Sequence, residues 1–147
     1  MSFFIGEFEY TIDNKGRVNI PAKFRKNLSP EARETFIIMQ GKGGCLDVYP
    51  LDVFQQKIFS KIDQMSHSDD AERYYVSVTG ANSSDSQLDS QGRIAISQKL
   101  LNYAGITKDI LIIGAFNRVE MWNPERRAAY LENMKNADGE INKELLP

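Results

Sequence analysis

The chain has 147 residues, 18 of them basic and 20 acidic, so its formal net charge of −2 provides no overall positive field for nucleic acid. The single cysteine, Cys45, and the single histidine, His67, exclude an internal disulfide and a zinc site of soft ligands, and we expect no metal or cofactor. No apolar run approaches the roughly 18–20 residues that span a membrane, and the acidic N-terminal stretch does not resemble a signal peptide, so we expect a soluble, cytoplasmic protein.

The first predicted elements surround a charged turn. A short strand leads into an Asp-x-x-Gly-Arg turn at 13–17, where Asp can bond backbone amides and Gly can adopt positive φ. Val18 and Ile20 alternate with polar residues, which predicts a half-buried strand. Pro21 then suits the first position of a short helix.

Two strands and a longer helix complete this first series. The strands cover 35–39 and 45–50, with "GKGG" (41–44) as their hairpin turn. The helix that follows has an apolar face. Its predicted members are Leu51, Phe54, Ile58 and Met65.

The second series follows a polar joint, 65–74, in which we expect a helix to begin. It has its own turn at 89–93, an alternating strand with Ile94 and Ile96, and a short helix between an N-cap at Ser97 and a closing Gly105. Strands at 109–114 and 118–122 precede a helix that is predicted to start at 123–125. Its apolar stripe comprises Ala128, Leu131 and Met134.

These two series are an internal repeat. "DNKGRVNIPAKFRK" (13–26) recurs as "DSQGRIAISQKLLN" (89–102) at a constant offset. Neither unit alone can bury a large apolar surface, so we expect one α+β structure with two halves. The predicted organisation is a first repeat at 1–64, the joint at 65–74, a second repeat at 75–135 and a flexible tail at 136–147.

Catalysis has weak support in the sequence. His67 stands alone in the polar joint, where a solvated loop histidine is expected, and Cys45 is expected to be a packed thiol. "GKGG" lacks the spacing of a phosphate-binding loop. Asp47 and Glu120 lie in the middle of strands and are expected to be exposed or paired. We predict that the protein is not an enzyme and has no catalytic residues.

The turn at 13–17 begins the densest basic cluster of the chain. Between 13 and 26, five basic residues face one acid. Arginine can form paired hydrogen bonds with a phosphate or with guanine in the major groove, which admits a two-stranded β-ribbon. The predicted DNA-binding residues are Lys15, Gly16, Arg17, Lys23, Arg25, Gln91, Gly92 and Arg93, with Asp13 and Asp89 as the residues that orient the arginines.

The two turns differ in charge. The first has Lys15 and the basic sequence "KFRK" (23–26) behind it, whereas the second has Gln91 in the lysine position and only Lys99 beyond Arg93. The first repeat is therefore predicted to make more phosphate contacts, and Gln91 to add hydrogen bonds.

Three segments together resemble the MraZ family of bacterial transcriptional regulators: "FIGEFEYTIDNKGRVNIPAKFR" (4–25), 71–106 and "ILIIGAFNRVEMWNPERR" (110–127). The basic strand, turn and helix are also similar to AbrB-type swapped-hairpin DNA-binding proteins. The resemblance implies a double-split (swapped-hairpin) β-barrel flanked by helices and built from the two repeats. It maps the family's Asp-x-x-x-Arg motifs onto Asp13/Arg17 and Asp89/Arg93.

The resemblance also implies a function. The expected partners are DNA and further copies of the chain, in a ring-shaped homo-oligomer of eight or more subunits. Such a ring would bind short direct repeats upstream of the division and cell-wall gene cluster and associate with the nucleoid. An alternative is a protein-interaction or antitoxin-like module whose basic turns dock an acidic protein partner. Neither a membrane nor a small-molecule substrate is expected to be a partner.

Overall fold

The computed structural model describes residues 2–138. The tail predicted at 136–147 lies outside the described residues from 139 onward, whereas 136–138 belong to the last helix. The eight strands are β1 Phe4–Thr11, β2 Arg17–Asn19, β3 Thr35–Gln40, β4 Leu46–Pro50, β5 Ser84–Gln87, β6 Arg93–Ala95, β7 Asp109–Phe116 and β8 Val119–Trp122. The α-helices are α1 Ala22–Lys26, α2 Leu51–Val53, α3 Ser60–Asp63, α4 Asp70–Ala81, α5 Gln98–Ala104 and α6 Pro124–Asp138.

The strands form two sheets in which the halves of the chain exchange partners. The larger sheet has the order β1-β7-β8-β4-β3-β5, and β2 and β6 form a separate two-stranded ribbon. β1 of the first half pairs with β7 of the second, and β5 of the second pairs with β3 of the first, all antiparallel. The β4–β8 and β2–β6 pairs also join the halves. Neither half therefore has a complete sheet of its own.

At the centre of each sheet, a residue of the first repeat pairs with its own counterpart in the second repeat. Val18 faces Ile94 in the ribbon, at the same offset that relates Asp13 to Asp89. In the larger sheet Asp47 faces Glu120, its counterpart in the repeat. An approximate two-fold axis thus passes through both pairs.

One hydrophobic core serves both halves. It contains Phe24 and Phe36 from the first half and Ile112 and Met121 from the second, all with a relative exposure of 0%. Val18 and Ile94 place the inner face of the ribbon on the same core. The predicted α+β class is confirmed. The strand pairs leave the larger sheet open between β1 and β5 and form no closed barrel.

Several local predictions are confirmed at the ends of helices. The Ser97 hydroxyl accepts a hydrogen bond from the Leu100 amide at 3.3 Å and caps α5, which ends at Gly105 with φ 66°. Pro21, predicted as the first helical residue, instead occupies the N-cap, and α1 begins one residue later at Ala22. The predicted turn at 41–44 is also present, closed by the Gly41 amide on the Cys45 carbonyl.

The two longer helices differ from expectation in detail. α2, a π-helical stretch at Phe54–Phe59 and α3 follow one another without a break. In α6 the predicted stripe faces away from the protomer, and Leu131 and Met134 are 48% and 45% exposed. The helix instead contacts the sheet through Tyr130, whose ring centre is 5.1 Å from that of Trp122.

Candidate nucleic-acid interface

The turn at 13–17, the first tip, is built by the Asp13 side chain. Its Oδ1 accepts hydrogen bonds from the backbone amides of Lys15 and Arg17 at 3.0 and 2.8 Å. Its Oδ2 accepts the Nε–H of Arg17 at 2.8 Å. One carboxylate therefore both folds the turn and directs the arginine side chain.

The turn at 89–93, the second tip, repeats this arrangement. Asp89 Oδ1 accepts the amides of Gln91 and Arg93, both at 2.9 Å, and Oδ2 accepts Arg93 Nε at 2.9 Å. In each tip the first and last residues also exchange a backbone hydrogen bond, from Asp13 to Arg17 and from Asp89 to Arg93. The turn-shaping role of the two aspartates stays a prediction, and this geometry supports it.

Hydrogen bonding lowers the pKa of both aspartates. The largest cause is the backbone amide of Arg17 for Asp13, and that of Arg93 for Asp89. Hydrogen-bond donors favour the charged carboxylate over the neutral acid. Both tips therefore keep an ionised aspartate at neutral pH, and each arginine is oriented by a charge-assisted bond.

The ribbon places both arginines on one face. Val18 and Ile94 point into the core, so their neighbours in sequence, Arg17 and Arg93, lie on the opposite, outward face. Arg17 faces Ala95, two positions from Arg93, and such diagonal neighbours lie roughly 7–8 Å apart. Among the described residues, the terminal NH₂ groups of both guanidinium groups have no hydrogen-bond partner.

Each tip is attached to the other half of the chain. The Ile20 amide donates to the Gly92 carbonyl at 3.0 Å, and the Ile96 amide donates to the Gly16 carbonyl at 2.8 Å. Both glycines are buried, with φ 77° for Gly16 and 75° for Gly92. A Cβ at Gly16 would lie 2.6 Å from the Ile96 carbonyl oxygen, so the close contact requires glycine.

Arg25 lies beside the second tip, although the sequence places it with the first. A Cβ built on Gly92 would be 2.8 Å from the Cζ, Nε and Nη1 atoms of Arg25. The Nε of Arg25 donates to the Ile20 carbonyl at 3.1 Å. Arg25 also lines a cavity of about 440 Å³ together with Asp89, Ser90 and Gly92.

The remaining predicted residues stay at the surface. Lys15, Lys23 and Gln91 are exposed. Lys15 and Gln91 occupy equivalent positions in the two tips, and each donates its backbone amide to the aspartate of its own tip. The structure thus groups the predicted residues around the ribbon, except Lys23, which is an exposed residue of α1.

A second charged cluster, absent from the predicted site, crosses the centre of the larger sheet. Arg118 contacts Asp47 Oδ1 at 3.3 Å and Glu120 Oε2 at 2.7 Å, which confirms the expectation that both acids are exposed or paired. Burial raises the pKa of Asp47. Burial, together with the negative charge of the nearby Asp47, raises the pKa of the Cys45 thiol to about 12. The "RVE" sequence (118–120) was the available signal, since alternate residues of a strand share a face.

Within residues 2–138, no three His, Cys, Asp or Glu side chains converge as ligands for a metal ion. None of the helices in the same range is long and apolar enough to cross a membrane. His67 is exposed in the segment before α4, as expected for a loop histidine.

Comparison with known proteins identifies the family. The family described as "MraZ protein, putative antitoxin-like" matches the chain twice, over residues 3–77 and 80–144. A Symbiobacterium thermophilum protein named transcriptional regulator MraZ is 40% identical over 141 residues, 96% of this chain and 99% of its own length. Proteins of the same name from Natranaerobius thermophilus and Saccharopolyspora erythraea are 37% and 35% identical, over 97% and 98% of this chain and 96% and 97% of their own lengths. The chain therefore belongs to the MraZ family.

Proposed function

We propose that this protein is a sequence-specific DNA-binding transcriptional regulator. The observation that carries the proposal is the outward face of the ribbon, where Arg17 and Arg93 are held by matching aspartates at matching distances. The relatives named transcriptional regulator MraZ agree with this function.

The geometry supports major-groove binding by the ribbon. A two-stranded β-ribbon fits the major groove, and a guanidinium can donate two hydrogen bonds to guanine O6 and N7 or to a phosphate. Because Asp13 and Asp89 engage only the Nε–H groups, the terminal NH₂ groups of Arg17 and Arg93 remain for DNA. Lys15, Lys23 and Arg25 would add phosphate contacts around them.

We further propose that the chain assembles into a ring of eight or more subunits, several of which contact several short direct repeats at once. Exposed apolar side chains support self-association, including Phe59, Tyr74 and Tyr75 on the helices and Phe116 at the end of β7. Linked binding events would raise affinity by roughly 10²–10⁴ over one protomer. This compensates for the small number of basic side chains on a protomer with a net charge of −2.

The family resemblance supports the finer features of the proposal. We infer that the two repeats, 1–64 and 75–135, build the double-split arrangement in which the ribbon covers the core side of the open sheet. The proposed target is the region upstream of the division and cell-wall gene cluster, which would place the protein at the nucleoid. α4 crosses the boundary between the joint at 65–74 and the second repeat.

Replacing Arg17 tests the DNA-binding proposal. A labelled duplex that covers the region upstream of the protein's own gene is titrated with wild type and with Arg17→Ala, next to a shuffled duplex of equal length. We expect affinity for the upstream duplex to fall at least about fivefold, since one well-oriented arginine contact contributes roughly 1–3 kcal/mol of discrimination. Native mass spectrometry should show an unchanged subunit number.

The matched control is Arg73→Ala, which removes an exposed arginine of α4 outside both tips and should leave affinity unchanged. Equal affinity of wild type for the upstream and shuffled duplexes would contradict sequence-specific binding. Wild-type affinity of Arg17→Ala would remove the first tip from the interface.

The second candidate is a protein-interaction module, favoured by the words "antitoxin-like" in the family description. In that case the basic tips dock an acidic protein. The same titration distinguishes the two, because this function predicts no preference for the upstream duplex and a stable complex with one acidic protein.

A further inference from the structure

We infer that Arg25 serves the second tip rather than the first, as a positioning residue for Gly92 and as the second cation of that tip. The inference rests on the proposed DNA-binding function only for the role of the charge. Its basis is the exchange between halves: α1 belongs to the first repeat, but the guanidinium of Arg25 contacts the glycine of the second.

Three contacts hold Arg25 and the second tip together, two of them through the backbone of Ile20. Arg25 Nε donates to the carbonyl of Ile20, and the amide of Ile20 donates to the carbonyl of Gly92. The flat guanidinium lies where a side chain at position 92 would be, within 2.8 Å of the ideal Cβ position. Arg25 therefore closes the space beside Gly92 and limits the movement of the turn that carries Arg93.

The first tip has an apolar residue in the equivalent place. The repeat offset relates Arg25 to Leu101, and a Cβ on Gly16 would lie 3.6 Å from Leu101 Cδ1. The glycine of each tip thus lies next to a side chain from the other half of the chain. That side chain is the cation Arg25 at Gly92 and the buried Leu101 at Gly16. The cation therefore lies beside the second tip and the leucine beside the first, the reverse of what their positions in the sequence suggest.

This exchange balances the charge of the two tips. Within its own loop the first tip has Lys15 and Arg17, whereas the second has Arg93 and the neutral Gln91. With Arg25 beside Gly92, each tip has two cations near its glycine. The expectation that the first repeat makes more phosphate contacts counted Arg25 with the first tip, and its position now favours two tips of similar strength.

The first test measures coupling between residues in binding to the upstream duplex. Single and double variants combine Arg25→Gln with Arg93→Gln and with Arg17→Gln. Residues that share one contact region are non-additive, whereas separated residues add. We expect Arg25→Gln/Arg93→Gln to lose at least about threefold less affinity than the product of the single losses, and Arg25→Gln/Arg17→Gln to equal the product.

The second test needs no DNA. In protein labelled with ¹⁵N-glycine, the chain contributes 10 glycines to the spectrum. Arg25→Gln should shift the Gly92 resonance and leave Gly16 in place, while Leu101→Met should do the reverse. Lys26→Gln, which removes the neighbouring exposed cation of α1, is the matched control and should shift neither resonance.

Arg25→Lys separates positioning from charge. It keeps the cation but loses the planar group and the Nε–H bond, so it should restore the salt dependence of binding and still shift Gly92. If the affinity losses of Arg25→Gln and Arg93→Gln simply add, while those of Arg25→Gln and Arg17→Gln do not, the inference is overturned. The proposed DNA-binding function would survive that result. If wild type itself fails to prefer the upstream duplex, the proposed function fails, and equal shifts of Gly92 and Gly16 would also overturn the positioning role.

Discussion

Val18 pairs in register with Ile94, its own counterpart in the second repeat. A residue can face its repeat counterpart in an antiparallel pair only if a two-fold axis runs between them. The axis sets Arg17 and Arg93 on either side at equivalent positions of the outward face. Two short copies of one sequence thereby form one two-sided surface. Its properties lead to three predictions, and the larger sheet leads to two more.

Asp13→Asn should weaken DNA binding although it removes a negative charge from the interface. The carboxylate holds two backbone amides and the Arg17 Nε, and a neutral amide cannot accept all three as strongly. We expect a several-fold loss of affinity at pH 7. Asp85→Asn is the control, since Asp85 is an exposed acid of β5, and tighter binding by Asp13→Asn would show that the charge matters more than the turn.

The acid sensitivity of the tips follows from the same aspartates. Because the folded pKa of Asp13 and Asp89 is lowered, their ionised forms stabilise the fold above the ordinary value of 3.8, and this contribution is lost as pH falls through the lowered pKa. The double variant Asp13→Asn/Asp89→Asn should therefore lose less stability than wild type between pH 5 and pH 2. Thermal unfolding at fixed protein concentration measures this, and parallel curves would contradict it.

Removing the charge of Lys15 and adding one at Gln91 should change the salt dependence of DNA binding in opposite directions. Each neutralised phosphate changes the slope of log K against log salt by about one. Lys15→Gln should make the slope shallower by about one per bound tip, and Gln91→Lys should make it steeper by a similar amount. An unchanged slope for Lys15→Gln would remove that lysine from the phosphate contacts, and Lys57→Gln, exposed in the π-helical stretch, is the control.

Arg118 should stabilise the protein without taking part in DNA binding. Arg118→Gln leaves the half-buried Asp47 without its ion-pair partner, whereas Glu120 keeps Arg127 at 3.3 Å. A polar group left unsatisfied in this way costs up to roughly 1–3 kcal/mol. The loss of Arg118 raises the pKa of Asp47 further, so the variant gains stability relative to wild type as pH falls and Asp47 becomes neutral. Denaturant unfolding at pH 5 and pH 8 should show the smaller difference at pH 5.

Cys45 should be unreactive in the folded protein. A thiol with a pKa of about 12 is ionised in on the order of one molecule in ten thousand at pH 8, and only the thiolate attacks a disulfide reagent. We expect labelling by a chromogenic disulfide to proceed at the unfolding rate. In denaturant the single thiol should react at once, and equally fast labelling of the native chain would contradict its burial.

Local sequence was enough to predict the tips. The bonds that shape each one join Asp13 or Asp89 to atoms no more than four residues away, so the motif contains every group that the turn needs. The cap at Ser97 and the closing Gly105 were predictable for the same reason. The family resemblance rests on the longer segments 4–25, 71–106 and 110–127.

Packing between distant segments could not be predicted in this way. The stripe of Leu131 and Met134 has a helical period, but the period alone does not say whether another element covers it, and in the protomer both side chains are exposed. The cluster of Arg118 with Asp47 joins strands 71 residues apart in sequence. Such contacts depend on strand order, which the sequence pattern left open.

The sequence by itself determined the duplicated tip, the aspartate that folds it and the arginine that it directs, because hydrogen bonds within five residues need no tertiary partner. Only the tertiary structure decided which half supplies the neighbours of each tip. The strands pair across the halves, so Arg25 is near Gly92 and Leu101 is near Gly16. The position of Arg25 in the sequence groups its charge with the first tip, whereas the pairing of strands between the halves places it beside the second.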